Sequence, residues 1–363
     1  MSKLRVTRVV AALALCASTF ALIAGSGAVS ASAARKAQIK IAFVMPCSTC
    51  ASRFEDQDKP DFIKAVKALN PNIRVIADNA QGSDAAQINQ VEDALVNGAK
   101  VIVVSPLDLA TGVAIVFKAQ KYHVPVIAYD GLLTGAPISF YVSFDNTHVG
   151  YLQGEYLVKN LPKGSTVAMI NGDQTSAPGI EFKQGALQAL QPAFTSGELI
   201  NGYSADTPQF SPTTAQTEME QALTTLKNNV QGVLSPNDGI AGGVIAALTA
   251  QNLAGKVLVT GQDATTAGLQ DILEGTQSMT VFKPISQEAA AAAKVAVGLA
   301  EGHKNIVKQV AKTKVNNGYM GVPSVLLTPT VITKTNVSLV VKDGAATWTD
   351  ICTGIPANLC PAH

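Results

Sequence analysis

The sequence predicts an α/β protein of two doubly wound parallel-sheet lobes, and three observations carry that expectation. Short β-branched runs alternate with helical patterns from Lys40 onward, which is the rhythm of parallel βαβ units. The rhythm starts twice. The chain of 363 residues is also longer than one compact core usually fills.

The first series of strands reads Ile41–Val44, Ile73–Ile76, Val101–Val104 and Val124–Ile127. Between them Phe62, Val66 and Leu69, then Ile88, Val91 and Leu95, recur at the spacing that lays one apolar helical stripe on a sheet. The series restarts after Ser139–Val142, with strands at Thr166–Ile170, Gly232–Leu234, Val257–Thr260 and Met279–Phe282. In this half Ser211 supplies an N-cap and Pro212 a first-turn proline for a helix whose Ala215, Met219, Ala222, Leu223 and Leu226 share a face. The alanine-rich helix from about Glu288 to Leu299 is too short to span a membrane.

The amino terminus reads as an export signal. Lys3, Arg5 and Arg8 precede an apolar run from Val9 to about Ile23, and small residues end at Ala31-Ser32-Ala33, so residues 1–33 are expected to be removed. Cys16 follows Leu15 rather than a small residue, and the apolar run continues past it, which argues against a lipid anchor. Loss of the leader leaves 24 basic against 26 acidic residues, a net charge of −2, and no electrostatic basis for binding nucleic acid. A periplasmic or other extracytoplasmic location is expected.

Four cysteines remain, in two close pairs. In an oxidising compartment Cys47 with Cys50 and Cys352 with Cys360 read as local disulfides; the rival reading of Cys47-Ser48-Thr49-Cys50 is a redox motif. The four histidines show no metal-ligand spacing with each other or with the cysteines, and neither a metal nor a cofactor is expected. No G-x-S-x-G elbow, H-E-x-x-H pair, Walker loop or dinucleotide fingerprint occurs, so no enzyme activity is expected. A repressor would need a helix-turn-helix where the leader stands.

In open parallel sheets, ligands bind beyond the carboxyl ends of the strands. Asp130, Asn237, Asp263 and Lys283 each follow a predicted strand, which suggests a cleft lined by carboxylates, an amide and an ammonium. For any one of them, a helix N-cap or solvated loop is an equally good reading.

These segments resemble a known family. Ser52-Arg53-Phe54, Ala128-Tyr129-Asp130, the run Phe140–Asn146, Pro236-Asn237-Asp238, Gly261-Gln262-Asp263-Ala264, the run Gly275–Pro284, Asn316-Asn317-Gly318 and Leu326–Pro329 are similar to segments of the periplasmic sugar-binding proteins of ABC importers, of the ribose/galactose type and nearest the xylose binders. The resemblance implies the type I periplasmic binding protein fold with a three-segment hinge near Leu132, Pro284 and Thr328. One lobe would hold residues 34–131 and 285–328, the other residues 132–284 and 329–363.

It also implies a monosaccharide ligand, xylose-like or another aldose, handed to the permease subunits of an importer. A monomer is implied, and a chemoreceptor is a further partner of such proteins. Arg53 would donate to sugar hydroxyls, Phe54 would stack on the ring, Asp130 would accept from the first lobe, and Asn237, Asp263 and Lys283 would complete the contacts. Ring hydroxyls both donate and accept, so charged and amide groups suit them.

Three departures stand out. Gly131 occupies a position where xylose and ribose binders carry arginine, Ser176–Gly179 lacks a sugar-contacting asparagine, and the second stacking tryptophan is missing between Tyr203 and Phe210, leaving either of those two as its stand-in. The alternative ligand on the same fold is therefore a polyol, a cyclitol or a furanosyl signal molecule.

Overall fold

The computed structural model describes residues 38–361; the expected leader and the Cys16 question lie outside the described residues. Among the described residues thirteen strands form two main parallel sheets and a short antiparallel pair. They are β1 (Lys40–Met45), β2 (Arg74–Asn79), β3 (Val101–Val104), β4 (Val126–Tyr129), β5 (Phe140–Phe144), β6 (Ser165–Asn171), β7 (Leu199–Asp206), β8 (Gly232–Leu234), β9 (Leu258–Val259), β10 (Thr280–Phe282), β11 (Thr313–Asn316), β12 (Gly321–Leu327) and β13 (Thr330–Ile332).

The first sheet runs β11-β12-β5-β4-β3-β1-β2, parallel except for the antiparallel edge strand β11. Successive residues of β1 split between its two faces: Ile41, Phe43 and Met45 enter one apolar core, while Ala42 and Val44 enter the other. Burial on both faces is why these strands read as continuous apolar runs rather than alternating ones. The helix Ile285–Ala300 covers the first of these faces through Ala289, Ala292, Ala293 and Ala296.

The second sheet runs β7-β6-β8-β9, all parallel. Val167 and Met169 face one core and Ala168 and Ile170 the other. Beside it, the helices Asn146–Asn160 and Ala177–Ser196 meet almost backbone to backbone; a Cβ at Gly150 would fall on the Phe182 carbonyl and one at Gly185 on that of Thr147. The expected helix start at Ser211 is present, its hydroxyl accepting from the Thr214 amide with Pro212 in the first turn.

The chain passes between the sheets three times. The first passage is later than the expected one at Leu132, because Phe140–Phe144 pairs with both β4 and β12 and so belongs to the first sheet. The intervening Leu132, Leu133, Ala136 and Ile138 are buried in the same first-sheet core. The other two passages fall between β10 and the helix Ile285–Ala300, and between β12 and β13.

Cys47 with Cys50 and Cys352 with Cys360 are disulfide-bonded, with Cα atoms 5.5 and 6.0 Å apart. Among the described residues no helix is long and apolar enough to cross a membrane.

Candidate functional site

Loops beyond the carboxyl ends of strands from both sheets enclose a cavity of about 70 Å³. Arg53, Phe54, Asp130, Asn237, Asp263, Lys283 and Phe210 all line it, although they are drawn from six separate stretches of chain. Tyr203 does not. It lies on the edge strand β7, donates its hydroxyl to Gln221, and packs against the second-sheet core.

The centre of the site is Arg53, 1% exposed. Its Nε and Nη2 hold the two oxygens of Asp58 at 2.8 Å each, a bidentate fork, and Nη2 also reaches Glu288 Oε2 at 3.0 Å. Nη1 donates to Asp130 Oδ1 at 3.0 Å and stands 3.7 Å from Asp263 Oδ1. Lys283 Nζ lies between the same two carboxylates, 3.4 Å from Asp130 and 3.3 Å from Asp263. Two cations thus gather aspartates from loops of both sheets at one point.

Burial opposes the charge on Arg53, but Asp130 and Asp58 outweigh it and hold the guanidinium protonated well above its ordinary range. Burial likewise works to raise the Asp130 carboxyl, yet Arg53 and Lys283 prevail and hold it below the usual carboxylate range. Glu288 goes the other way: burial, with Asp130 and Asp58 nearby, pushes it well above ordinary values despite Arg53. Glu288 is thus the carboxyl of the cluster whose proton is held most firmly against release, beside two cations and three aspartates.

Local backbone aims these groups. Asp130 and Asp263 have φ of 58° and 94°, so each turns out of its strand line in the left-handed region, where aspartate is among the better-tolerated non-glycine residues. Gln209 and Phe210 are also left-handed, at 54° and 52°, and Phe210 fits against Gly172, where a Cβ would stand 2.2 Å from the phenyl ring. Phe54 lies below the Arg53 guanidinium, 5.2 Å from Cζ to ring centroid, and also belongs to a first-sheet core.

Asn237 lines the cavity with its amide already engaged. Its Oδ1 caps the helix Asp238–Ala250 by accepting from Ile240, and its Nδ2 donates across the cleft to the Cys50 carbonyl at 3.1 Å. Two more hydrogen bonds cross between the loops: Gln209 Nε2 to Gly82 O at 3.0 Å and Leu109 N to Thr175 O at 3.0 Å. The Cys47–Cys50 loop is thus one wall of the cavity and a landing point for the opposite wall.

Sequence reasoning missed Asp58 and Glu288. Tyr129, also buried, donates to Asp58 Oδ1 at 2.5 Å and completes that support. Asp58 lies five residues after Arg53, one acid among several in a polar stretch, and Glu288 is 235 residues away, with no pattern linking them; a lone acid at the head of an alanine-rich helix was the one available signal, and only for Glu288. At Gly131, the space near the missing arginine is taken by proline: a Cβ there would meet Pro106 Cδ at 3.1 Å and Pro178 Cδ at 3.7 Å. Among the described residues no group of histidine, cysteine, aspartate and glutamate is placed to hold a metal ion.

The periplasmic binding protein domain family matches residues 41–304. The chain is 37% identical to the D-xylose-binding periplasmic protein of Escherichia coli (strain K12) over 79% of its own length and 86% of that protein's. Two solved structures share its fold. A carbohydrate transporter solute binding protein from Chloroflexus aurantiacus, in complex with D-glucose, has a TM-score of 0.78 at 27% identity, covering 85% of this chain and 97% of that one. An ABC transporter solute binding protein from Clostridium phytofermentans with bound β-D-glucose has a TM-score of 0.77 at 28% identity, covering 86% and 99%. These relatives are binding proteins rather than enzymes. With most of both chains matched and a cleft between two parallel sheets, the chain is a member of the periplasmic binding protein family, on the type I fold.

Proposed function

We propose that the chain binds one monosaccharide in the cleft between its sheets and presents it to an ABC importer from outside the cytoplasmic membrane. The observation that carries this reading is the convergence of Arg53, Asp130, Asp263 and Lys283, with Phe54 alongside, on one small cavity. Fixed carboxylates accept from ring hydroxyls, the guanidinium and ammonium donate to them, and an aromatic face meets the C–H side of a pyranose. The named ligands of its relatives agree: D-xylose in one and D-glucose in two. In this reading Asn237 acts by bridging the closed cleft to Cys50, Phe210 takes the second aromatic position, and Tyr203 has no ligand role.

The same reading divides the chain into one lobe of residues 38–145 and 285–327 and another of 146–284 and 330–361, with the hinge at the three passages. Permease subunits are the partners, a chemoreceptor is a further one, and the protein acts as a monomer after export.

A second ligand class is favoured by one feature, the proline wall of Pro106 and Pro178 beside Gly131. It offers no donor where xylose and ribose binders carry arginine, so an aldose held as in those binders would lose that contact, and a polyol or cyclitol held by the remaining groups is the alternative. Isothermal titration against D-xylose, D-glucose, D-ribose, myo-inositol and sorbitol separates the two. Binding of an aldose that raises thermal stability, by about 2.7 kcal/mol at a hundredfold excess over Kd, supports the first reading; binding of a polyol alone replaces it.

A further inference from the structure

Gln262 stands in the cavity wall with an amide side chain that has no partner among the described residues. It is 3% exposed, it lines the cavity, and its Oε1 is buried with no hydrogen-bond partner among the described residues. Five other buried or half-buried amides also leave an oxygen unpaired, but each donates through its nitrogen: Gln90 to Asn79, Asn146 to Glu181, Gln153 to Pro236, Asn171 to Ala205 and Gln277 to Asp238. Gln262 makes no side-chain hydrogen bond at all among the described residues.

Its backbone, by contrast, is held firmly. The carbonyl accepts from the Asp238 amide at 2.9 Å, and the residue bridges in parallel to Val281 of β10. Consecutive residues of an extended strand face opposite ways. Here the left-handed φ values of Asp263 and Ala264, 94° and 49°, interrupt the strand, and Gln262 and Asp263 both line the cavity. A buried amide is costly without partners and folded proteins rarely keep one, so a rigidly placed, unpaired amide on a ligand cavity is a group waiting for a ligand.

We propose that Gln262 is a ligand-binding residue, its amide hydrogen-bonding a ring hydroxyl next to the one taken by Asp263, and that it selects sugars carrying that adjacent pair. This rests on the monosaccharide reading above and deepens it. A hydroxyl that both donates and accepts is matched by an amide and poorly matched by a second carboxylate.

The test uses the full-length exported protein, Gln262→Met, and titration calorimetry with the tightest-binding aldose of D-xylose, D-glucose and D-ribose, followed by its monodeoxy analogues. The variant is expected to bind the parent sugar tenfold to a hundredfold more weakly, while the thermal midpoint of the ligand-free protein stays level or rises because no bond was lost. One monodeoxy analogue should bind wild type more weakly than the parent sugar and bind the variant equally well. Parent-sugar affinity within twofold of wild type overturns the proposal, as does a fall in ligand-free stability with every analogue keeping its wild-type penalty. Wild type binding none of the three sugars refutes the monosaccharide reading itself, and the assignment with it, before any variant is made.

Discussion

Asp238 sits at the start of the helix Asp238–Ala250 and ties down the segment that carries Asp263. One carboxylate oxygen accepts from the Thr265 amide at 2.8 Å and its hydroxyl at 3.2 Å; the other accepts from Gln277 Nε2 and Thr280 Oγ1, both at 2.8 Å. Gly261 and Gly268 leave room for it, since a Cβ at either would come within 2.3 Å of its oxygens. Burial pushes this carboxyl up to about 7, assisted by the charge of Asp263 and opposed by the bonds from Gln277 and Thr280. A folded pKa above the unfolded one means that the stability involved is fully present below about pH 4 and is lost as pH rises through about 7. The gap of about three units corresponds to at most about 4 kcal/mol, at about 1.4 kcal/mol per unit. Asp238→Asn removes this titration. Equilibrium urea unfolding of wild type and variant at several pH values from 4 to 8.5 should show the stability difference between them moving by up to about 4 kcal/mol in the variant's favour as pH rises. A difference that stays constant across the range, or moves the other way, refutes the reasoning, and would mean that the four hydrogen bonds outweigh burial and keep the carboxylate charged throughout.

Burial pushes the Glu288 carboxyl up, so Glu288→Gln should cost no more than about 1 kcal/mol at pH 7; a loss of about 3 to 5 kcal/mol in urea unfolding would show that Glu288 is an ionised partner of Arg53. Arg53→Leu should instead destabilise by about that larger amount, since Asp58 is left buried without a cation among the described residues and Asp130 keeps only Lys283. Asn237→Ala removes the bridge to Cys50 and the helix cap together, so ligand should dissociate faster in stopped-flow fluorescence, with Kd raised about tenfold; an unchanged dissociation rate would remove Asn237 from closure. Gly131→Arg crowds Pro106 and should lower stability by about 1 to 3 kcal/mol in thermal unfolding, and no loss would mean that the proline wall yields readily.

Much of the architecture was legible because buried parallel strands leave an unmistakable trace. Ile41–Val44 and Val101–Val104 are apolar on both faces and sit between short helical stripes, so they could be placed by pattern. The edge strands could not. β7 is mostly exposed or half-buried and reads Leu-Ile-Asn-Gly-Tyr-Ser-Ala-Asp, and β11 is polar and exposed, so neither has an apolar period to detect. The misplaced first passage has the same origin: a strand's apolar residues say that it is buried in a sheet, and nothing in Phe140–Phe144 says which sheet.

The candidate site divides along a similar line. The rule that ligands gather past strand ends located Asp130, Asn237, Asp263 and Lys283, and the family resemblance added Arg53, Phe54 and the choice between Tyr203 and Phe210. Only the packed structure separates their duties. It turns the Asn237 amide toward Cys50, puts Tyr203 on an outer strand, and surrounds Arg53 with Asp58, Glu288 and Tyr129.

By itself, then, the sequence determined the class of fold, the two disulfide pairs and most of the loops that line the cavity, because periodicity, cysteine spacing and turn chemistry act over short stretches of chain. Tertiary structure decided which carboxylates share a cation, which acid is pushed up by burial and which amide stays unpaired. Those properties depend on distances between residues as far apart in the chain as Arg53 and Glu288 and on the loss of water around them, and neither quantity is written in local sequence.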